Sequence, residues 1–121
     1  MDKPELINLP ITIYSRNKLD KTHWAEKLRT RKMYQLLVRN QMRLNKIPKS
    51  EPGSVYKLSI VVFKKYRIRD YDNLVGGCKI LLDSLSREGF IWDDDMKYIG
   101  TPSITQQQSK EEYTLISRVV L

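Results

Sequence analysis

The sequence contains little of what disulfide-stabilised, zinc-binding or membrane-spanning proteins require. Its 121 residues include one cysteine, Cys78, and one histidine, His23. An internal disulfide framework and a zinc site of several cysteines are therefore excluded, and a single cysteine fits a reducing cytoplasm. No apolar run approaches the roughly 20 residues that span a bilayer, and the residues up to Glu5 lack the apolar segment of a signal peptide. We expect a cytoplasmic protein that does not enter a membrane.

Charged residues are abundant and unevenly distributed along the chain. Lys and Arg number 22 against 14 Asp and Glu, which gives a net charge of +8. Residues 1–50 carry 12 basic and 4 acidic side chains, whereas residues 51–121 carry 10 of each. Clustered basic side chains release counterions when they bind phosphates, so the excess favours a nucleic acid as partner. Solubility alone is the competing explanation of such a charge.

The first half of the chain has the pattern of a strand followed by a long helix. Residues 5–14 alternate loosely and contain Pro10, which favours a strand at a sheet edge. Residues 15–21 are expected to form a polar basic loop, after which Asp20 or Thr22 caps a helix that runs to about Asn45. The apolar positions of that helix are Trp24, Leu28, Leu36, Leu37, Met42 and Leu44.

The second half predicts a strand, a helix and two further strands. Residues 55–63 are rich in β-branched and aromatic side chains, which favours a well-covered strand. A second helix has an apolar face that includes Leu74, Cys78 and Leu85, and Gly89 ends it. Two strands follow near residues 97–105 and 112–120, joined by a polar turn at residues 106–110. The length and the element order predict one α/β (α+β) domain over residues 1–121, with a mixed sheet of about four strands and two main helices.

Five aspartates stand in two short groups, one on each side of the second helix. Asp70 and Asp72 precede it, and residues 93–95 follow it. Carboxylates held close together repel each other, and a bound cation relieves that repulsion. Oxygen ligands without cysteine or histidine indicate Mg²⁺, with Mn²⁺ as a substitute, rather than zinc. In a nucleic-acid-binding protein such an ion would serve phosphodiester hydrolysis.

Each group of aspartates also has a purely structural interpretation. Asp72 is placed to cap the second helix, and residues 93–95 have the composition of a solvated turn. Lys79 lies seven residues after Asp72, hence on the same side of a continuous helix, where its ammonium could contact a phosphate. Asp83 lies four residues after Lys79, so a simple ion pair between the two is the alternative.

The ordered set of residues around this helix resembles one nuclease family, the RusA-type Holliday junction resolvases. The residues that carry the resemblance are Arg69, Asp70, Tyr71, Asp72, Asn73, Leu74, Lys79, Asp83, Leu85, Gly89, Asp93 and Asp94. It implies a Mg²⁺-dependent endonuclease that acts as a homodimer in DNA recombination and repair and nicks four-way DNA junctions symmetrically. It also implies the cytoplasm of a bacterium or of a phage-infected host.

The same resemblance assigns the site residues. Asp70, Asp72 and Asp94 match the family's metal ligands and catalytic aspartates, and Lys79 matches its catalytic lysine. About three residues, 75–77, are extra between Asn73 and Lys79 relative to the family's best-known form. Gly76 and Gly77 are expected to absorb this insertion, because glycine weakens a helix interior.

The predicted DNA contacts come from the basic segments on either side of the acidic residues. Asn17 is included because Ser15 and Asn17 have the spacing of a Ser and an Asn in that family. The predicted contact residues are Arg16, Asn17, Lys18, Lys21, Arg29, Arg31, Lys32, Lys64, Lys65, Arg67 and Arg69. Tyr66 and Tyr71 are candidates either for stacking on unpaired bases or for packing.

Some alternatives remain open on the sequence. A metal site fixes the reaction but not the shape of the substrate, so the protein could cleave other branched DNA, such as flaps or forks, or RNA. It could also be a non-catalytic nucleic-acid-binding protein. His23 is expected at the surface or in a helix cap, and Cys78 is expected in the core.

Overall fold

A four-stranded mixed sheet forms the centre of the protein in the computed structural model, which describes residues 3–121. The strands are β1 (Glu5–Leu9), β2 (Tyr56–Lys64), β3 (Ser103–Gln108) and β4 (Tyr113–Val120). They lie in the order β1, β4, β2, β3. β4 is antiparallel to both of its neighbours, whereas β2 and β3 are parallel. The predicted mixed sheet is confirmed, as is the edge position of the first strand.

The described residues also form five helices beside the sheet. They are α1 (Arg16–Asp20), α2 (Trp24–Leu44), α3 (Tyr71–Gly77), α4 (Lys79–Glu88) and α5 (Met96–Ile99). α2 packs on α4 and on β1. Along β2, Leu58, Ile60 and Val62 are buried while the residues between them are half-buried, so one face of the sheet is covered more completely than the other. Among residues 3–121, no helix has the length and apolar character needed to cross a membrane.

Several local predictions were wrong. The expected loop at residues 15–21 contains α1, because the Ser15 side chain accepts a hydrogen bond from the Lys18 amide and caps a helical turn. The long helix begins at Trp24, and its cap is His23 rather than Asp20 or Thr22. Residues 96–99 are helical rather than extended, because Asp95 caps α5.

The predicted apolar face of the long helix was also wrong over its first two turns, at Leu36, which is 51% exposed, and at its end. The buried residues of α2 are Tyr34, Val38 and Met42, which follow one another at intervals of four. Trp24 and Leu44 are 70% and 73% exposed. The apolar residues at the start of α2 therefore contribute to a surface feature and not to the core.

The second predicted helix is broken in two. α3 ends at Gly77, and α4 begins after Cys78. A Cβ atom on Gly77 would overlap the carbonyl oxygen of Tyr14, so glycine permits the close approach of the segment before α1 to α3. Gly76 and Gly77 thus allow close packing of α3 as well as the break between α3 and α4. The expected end of the helix at Gly89 is confirmed, since this residue adopts φ 83°.

We expect Gly77→Ala to lower the free energy of unfolding by at least about 2 kcal/mol, because the backbone of Tyr14 must move to admit a methyl group. Gly76→Ala is the matched comparison. Its new Cβ would lie 2.6 Å from Arg16 Cδ, which can rotate away, and 2.9 Å from Arg16 Cβ, which requires a small shift of α1. The overlap is smaller than the one with the Tyr14 carbonyl oxygen, and alanine favours the helix, so the loss should be smaller than at Gly77. Urea denaturation measures both variants, and equal losses for the two would contradict this account of Gly77.

A carboxylate shared between α2 and α4 fixes the packing of these helices. Glu88, whose side chain is 9% exposed, accepts hydrogen bonds from Arg39 Nε at 2.8 Å and Gln35 Nε2 at 2.8 Å. The hydrogen bond from Arg39 lowers the pKa of Glu88 below its ordinary value, against the opposing effect of burial. The interaction therefore favours the folded state when Glu88 is ionised.

This pKa shift predicts a pH-dependent stability. A carboxylate with a lowered pKa stabilises the fold above its unfolded-state pKa of about 4.5 and loses that contribution as the pH falls through the folded-state value. Glu88→Gln should cost about 1 kcal/mol at neutral pH, since the half-exposed Arg39 is partly screened by solvent. The difference from wild type should shrink in acid. Glu51→Gln, at an exposed position, should show no such trend.

Candidate active site and nucleic-acid surface

Asp70 and Asp72 lie together at the start of α3. The backbone amide of Asp72 donates a hydrogen bond to Asp70 Oδ1 at 3.0 Å, so Asp70 is the helix cap. The alternative in which Asp72 caps this helix is therefore wrong. Both residues are exposed. The Asp72 carboxylate is free of the capping role and is available to another ligand.

The segment that leads into Asp70 is held by a residue that the sequence did not single out. Gln106 lies in β3 rather than in the predicted turn, and its side-chain amide pairs with the backbone of Ile68 in both directions. These bonds imitate a strand pairing and fix residues 67–69 beside the end of β3. Gln106 thereby positions Arg67, Arg69 and the following aspartate.

Asp94 lies in the connection between α4 and α5. Asp95 is used as the cap of α5 and accepts a hydrogen bond from the Lys97 amide at 2.8 Å. Partial burial raises the pKa of Asp94, and the hydrogen bond and charge of Asp93 and the charge of Asp83 raise it further. A proton or a cation would relieve this crowding of carboxylates.

A buried arginine anchors the start of that connection. Arg118 of β4 is 1% exposed and donates to the carbonyl oxygens of Phe90 at 2.7 Å and Pro48 at 2.6 Å, and to Glu5 Oε1 at 3.0 Å. Its guanidinium also lies 4.9 Å from the ring centroid of Phe90. Arg118 therefore ties the chain at the end of α4 to the sheet, four residues before Asp94.

Lys79 and Asp94 line one cleft, which has a volume of about 750 Å³. The cleft lies among α1, α2, α3 and α4, and Arg16, Arg31 and Asp83 also line it. Gly76 of α3 forms part of its wall. Because Asp72 precedes Gly76 by one helical turn, Asp72 lies on the same side of α3 as this wall.

The alternative in which Lys79 pairs with Asp83 is wrong: no ion pair joins these two residues in the described part of the chain. Asp83 instead pairs with Arg87 at 2.9 Å and lies 3.9 Å from Arg31 Nε. Within residues 3–121, Lys79 lies within ion-pair distance of no carboxylate. The exposed ammonium of Lys79 is thus available to an anionic ligand at the cleft.

The predicted metal ligands stand as two groups. Across residues 3–121, no three His, Cys, Asp or Glu side chains are arranged as a metal-binding cluster. Asp70 and Asp72 form one group, and Asp94, which has Asp93 as a neighbour, is the other predicted ligand. The donor chemistry fits Mg²⁺, which commonly takes one or two carboxylates and completes its shell with water and phosphate oxygens. A cage of three protein carboxylates is not required for that ion.

Most of the predicted DNA-contact residues are exposed. Lys64 is a correction: it is 9% exposed, and its ammonium donates to Thr12 Oγ1 and to the Ile13 carbonyl oxygen, each at 2.7 Å. Burial lowers the pKa of this amine. Lys64 therefore fastens the chain after β1 and is left out of the surface. Arg31 is half-buried. The exposed members are Arg16, Asn17, Lys18, Lys21, Arg29, Lys32, Lys65, Arg67 and Arg69.

The structure also tests the predictions made for the two tyrosines, the histidine and the cysteine. Tyr66 and Tyr71 are 82% and 62% exposed, so the packing interpretation is wrong for both. His23 Nδ1 accepts a hydrogen bond from the Ala25 amide at 3.2 Å, which confirms the capping role. Cys78 is fully buried, and burial raises the pKa of its thiol to about 12. This cysteine is therefore a core residue and not a nucleophile.

Comparison of the chain with protein-family models and with curated proteins finds no match.

Proposed function

We propose that this protein is a Mg²⁺-dependent, structure-specific endonuclease that resolves four-way DNA junctions by paired symmetric nicks. The observation that carries the proposal is the shared cleft of Lys79 and Asp94. These residues belong to separate segments, and the resemblance of the sequence to the RusA-type resolvases assigns both to one active site. A lysine and a carboxylate at a cleft that Arg16, Lys27 and Arg31 also line suit the cleavage of a phosphodiester.

The roles proposed for the residues follow from their charge and exposure. Asp70, Asp72 and Asp94 would hold Mg²⁺ through carboxylate oxygens. The ion would supply a water nucleophile at neutral pH and stabilise the leaving oxygen. Lys79 would donate hydrogen bonds to the scissile phosphate and stabilise the charge that develops there. Arg87 and Arg31 engage the Asp83 carboxylate, which leaves Lys79 without an ion pair to that residue.

The exposed basic residues would bind the DNA backbone on both sides of the cleft. Arg16 lines the cleft from α1, and Arg67 and Arg69 precede Asp70. Phosphate contacts of this kind set the position of a duplex without reading its sequence. A homodimer would present two such sites, which symmetric cleavage of a two-fold junction requires.

The test is the incubation of the purified protein with a synthetic four-way junction, end-labelled on each strand in turn. With Mg²⁺ or Mn²⁺ we expect nicks at symmetric positions in two opposing strands, and EDTA should abolish them. A linear duplex of the same sequence should stay intact. Flaps, forks and an RNA hairpin, assayed in parallel, decide between the junction and the other nucleic-acid substrates.

A specific observation favours the second candidate, a non-catalytic nucleic-acid-binding protein: Asp70 and Asp95 both act as helix caps. That function predicts junction binding that EDTA does not affect and no nicks with either metal ion. Such a result, with the protein shown to be folded, would contradict the proposed nuclease.

A further inference from the structure

The first two turns of α2 present one face to the cleft. Trp24, Lys27, Leu28 and Arg31 have the spacing i, i+3, i+4, i+7 and all line it. Trp24 is 70% exposed, and its neighbouring ring is that of His23, with centroids 5.5 Å apart. Trp24 lies outside the core, so core packing does not account for a tryptophan at this position.

The cleft wall combines apolar side chains with charged ones. Leu19, Leu28 and Ile80 provide apolar surface beside Trp24. Arg16, Lys27, Arg31 and Lys79 bring positive charge to the same cavity, beside the carboxylates of Asp20, Asp83 and Asp94. Asp20 lies 3.8 Å from Arg16 Nε in an exposed ion pair, which a phosphate can displace. A ligand that suits both features has a flat apolar face and an anionic group attached to it. A nucleotide of a DNA strand meets this description, because its base stacks on aromatic rings while its phosphate binds cations.

We infer that the cleft binds one unpaired nucleobase of the DNA substrate, stacked on the indole of Trp24. The inference rests on the proposed function and adds a basis for substrate choice. Bases within a continuous duplex are stacked on their neighbours and hide their faces, whereas bases at a branch point can leave the stack. Arg16 and Lys27 would hold the phosphates that flank the unstacked base. The cleft would thus favour DNA with a disrupted base pair beside the cleavage site.

The test measures binding without cleavage, in EDTA, with 2-aminopurine as a fluorescent base. One DNA carries this base unpaired at a branch point, and a second carries it paired within a linear duplex. Wild-type protein should quench the unpaired base. Trp24→Ala should weaken binding of the branched DNA roughly 5- to 150-fold and abolish the quenching, with duplex affinity unchanged. Trp24→Phe should restore part of both.

Leu44→Ala is the matched control, because Leu44 is 73% exposed at the other end of the same helix. It should bind both DNAs like wild type. Equal affinities of wild type and Trp24→Ala for the branched DNA, or an equal loss on branched and duplex DNA, would overturn the inference. The outcome is independent of nicking: failure of the nuclease proposal appears as intact junctions in Mg²⁺, while failure of this one appears as Trp24-independent binding.

Discussion

Asp70→Asn is expected to reduce the rate of junction nicking by at least about 10²-fold while junction binding is retained, because a bound metal ion contributes several kcal/mol of transition-state stabilisation. The substitution removes the negative charge that a metal ion requires but keeps a side-chain oxygen at the same place. That oxygen can still accept the hydrogen bond from the Asp72 amide, since asparagine caps helices as well as aspartate does. Loss of activity would therefore report on the site and not on the start of α3.

Two measurements accompany this variant. Urea denaturation should give a free energy of unfolding close to that of wild type, and a gel-shift assay in EDTA should give the same junction affinity. Glu51→Gln, an exposed change outside the site, should nick at the wild-type rate. Equal rates of nicking by Asp70→Asn and wild-type protein would contradict the assignment of Asp70 to the active site and would indicate a contaminating nuclease.

The mixed sheet and the two main helical regions could be predicted from the sequence because each depends on a local pattern, whereas the short helices α1 and α5 could not. Strand β2 alternates buried and half-buried residues as its β-branched side chains indicate, and Gly89 ends α4 through a left-handed conformation that suits glycine. The start of α2 was not predictable in this way. Periodicity identifies the apolar face at Trp24 and Leu28 but contains no information about what that face meets.

The sequence predicted which acidic residues form the candidate site but only part of their arrangement in space. Lys79 and Asp94 line the same cleft, whereas Asp70 and Asp72 form a separate group. The residues that support the site were missed altogether. Gln106 lies 38 positions from the backbone it holds, at Ile68, and nothing in a run of three glutamines indicates such a partner. Long-range side-chain contacts of this kind depend on strand order, which the sequence left open.

Arg118 is a second long-range contact that the sequence did not indicate. Of these contacts it has the largest expected effect on the free energy of unfolding. In the sequence it is one charged residue in a predicted strand, and the pattern of that strand does not show which face is buried. The structure places it on the buried face of β4 with Thr114 and Ile116. In the structure its guanidinium joins Glu5 of β1, Pro48 after α2, and Phe90 after α4. One side chain therefore links three segments that are far apart in the sequence, and it does so where water is excluded.

Arg118→Met should lower the free energy of unfolding by about 3–5 kcal/mol, because methionine fills most of the space but leaves the carbonyls and Glu5 without their donor. Arg118→Lys should lose somewhat less, since an ammonium keeps the charge but not the planar fork that reaches all three. Arg43→Met, on the exposed side of α2, should change stability by less than about 1 kcal/mol. Chemical denaturation compares the three variants. A loss at Arg118 no larger than that at Arg43 would mean that the network does not hold the end of α4, and the position of Asp94 would then need another anchor.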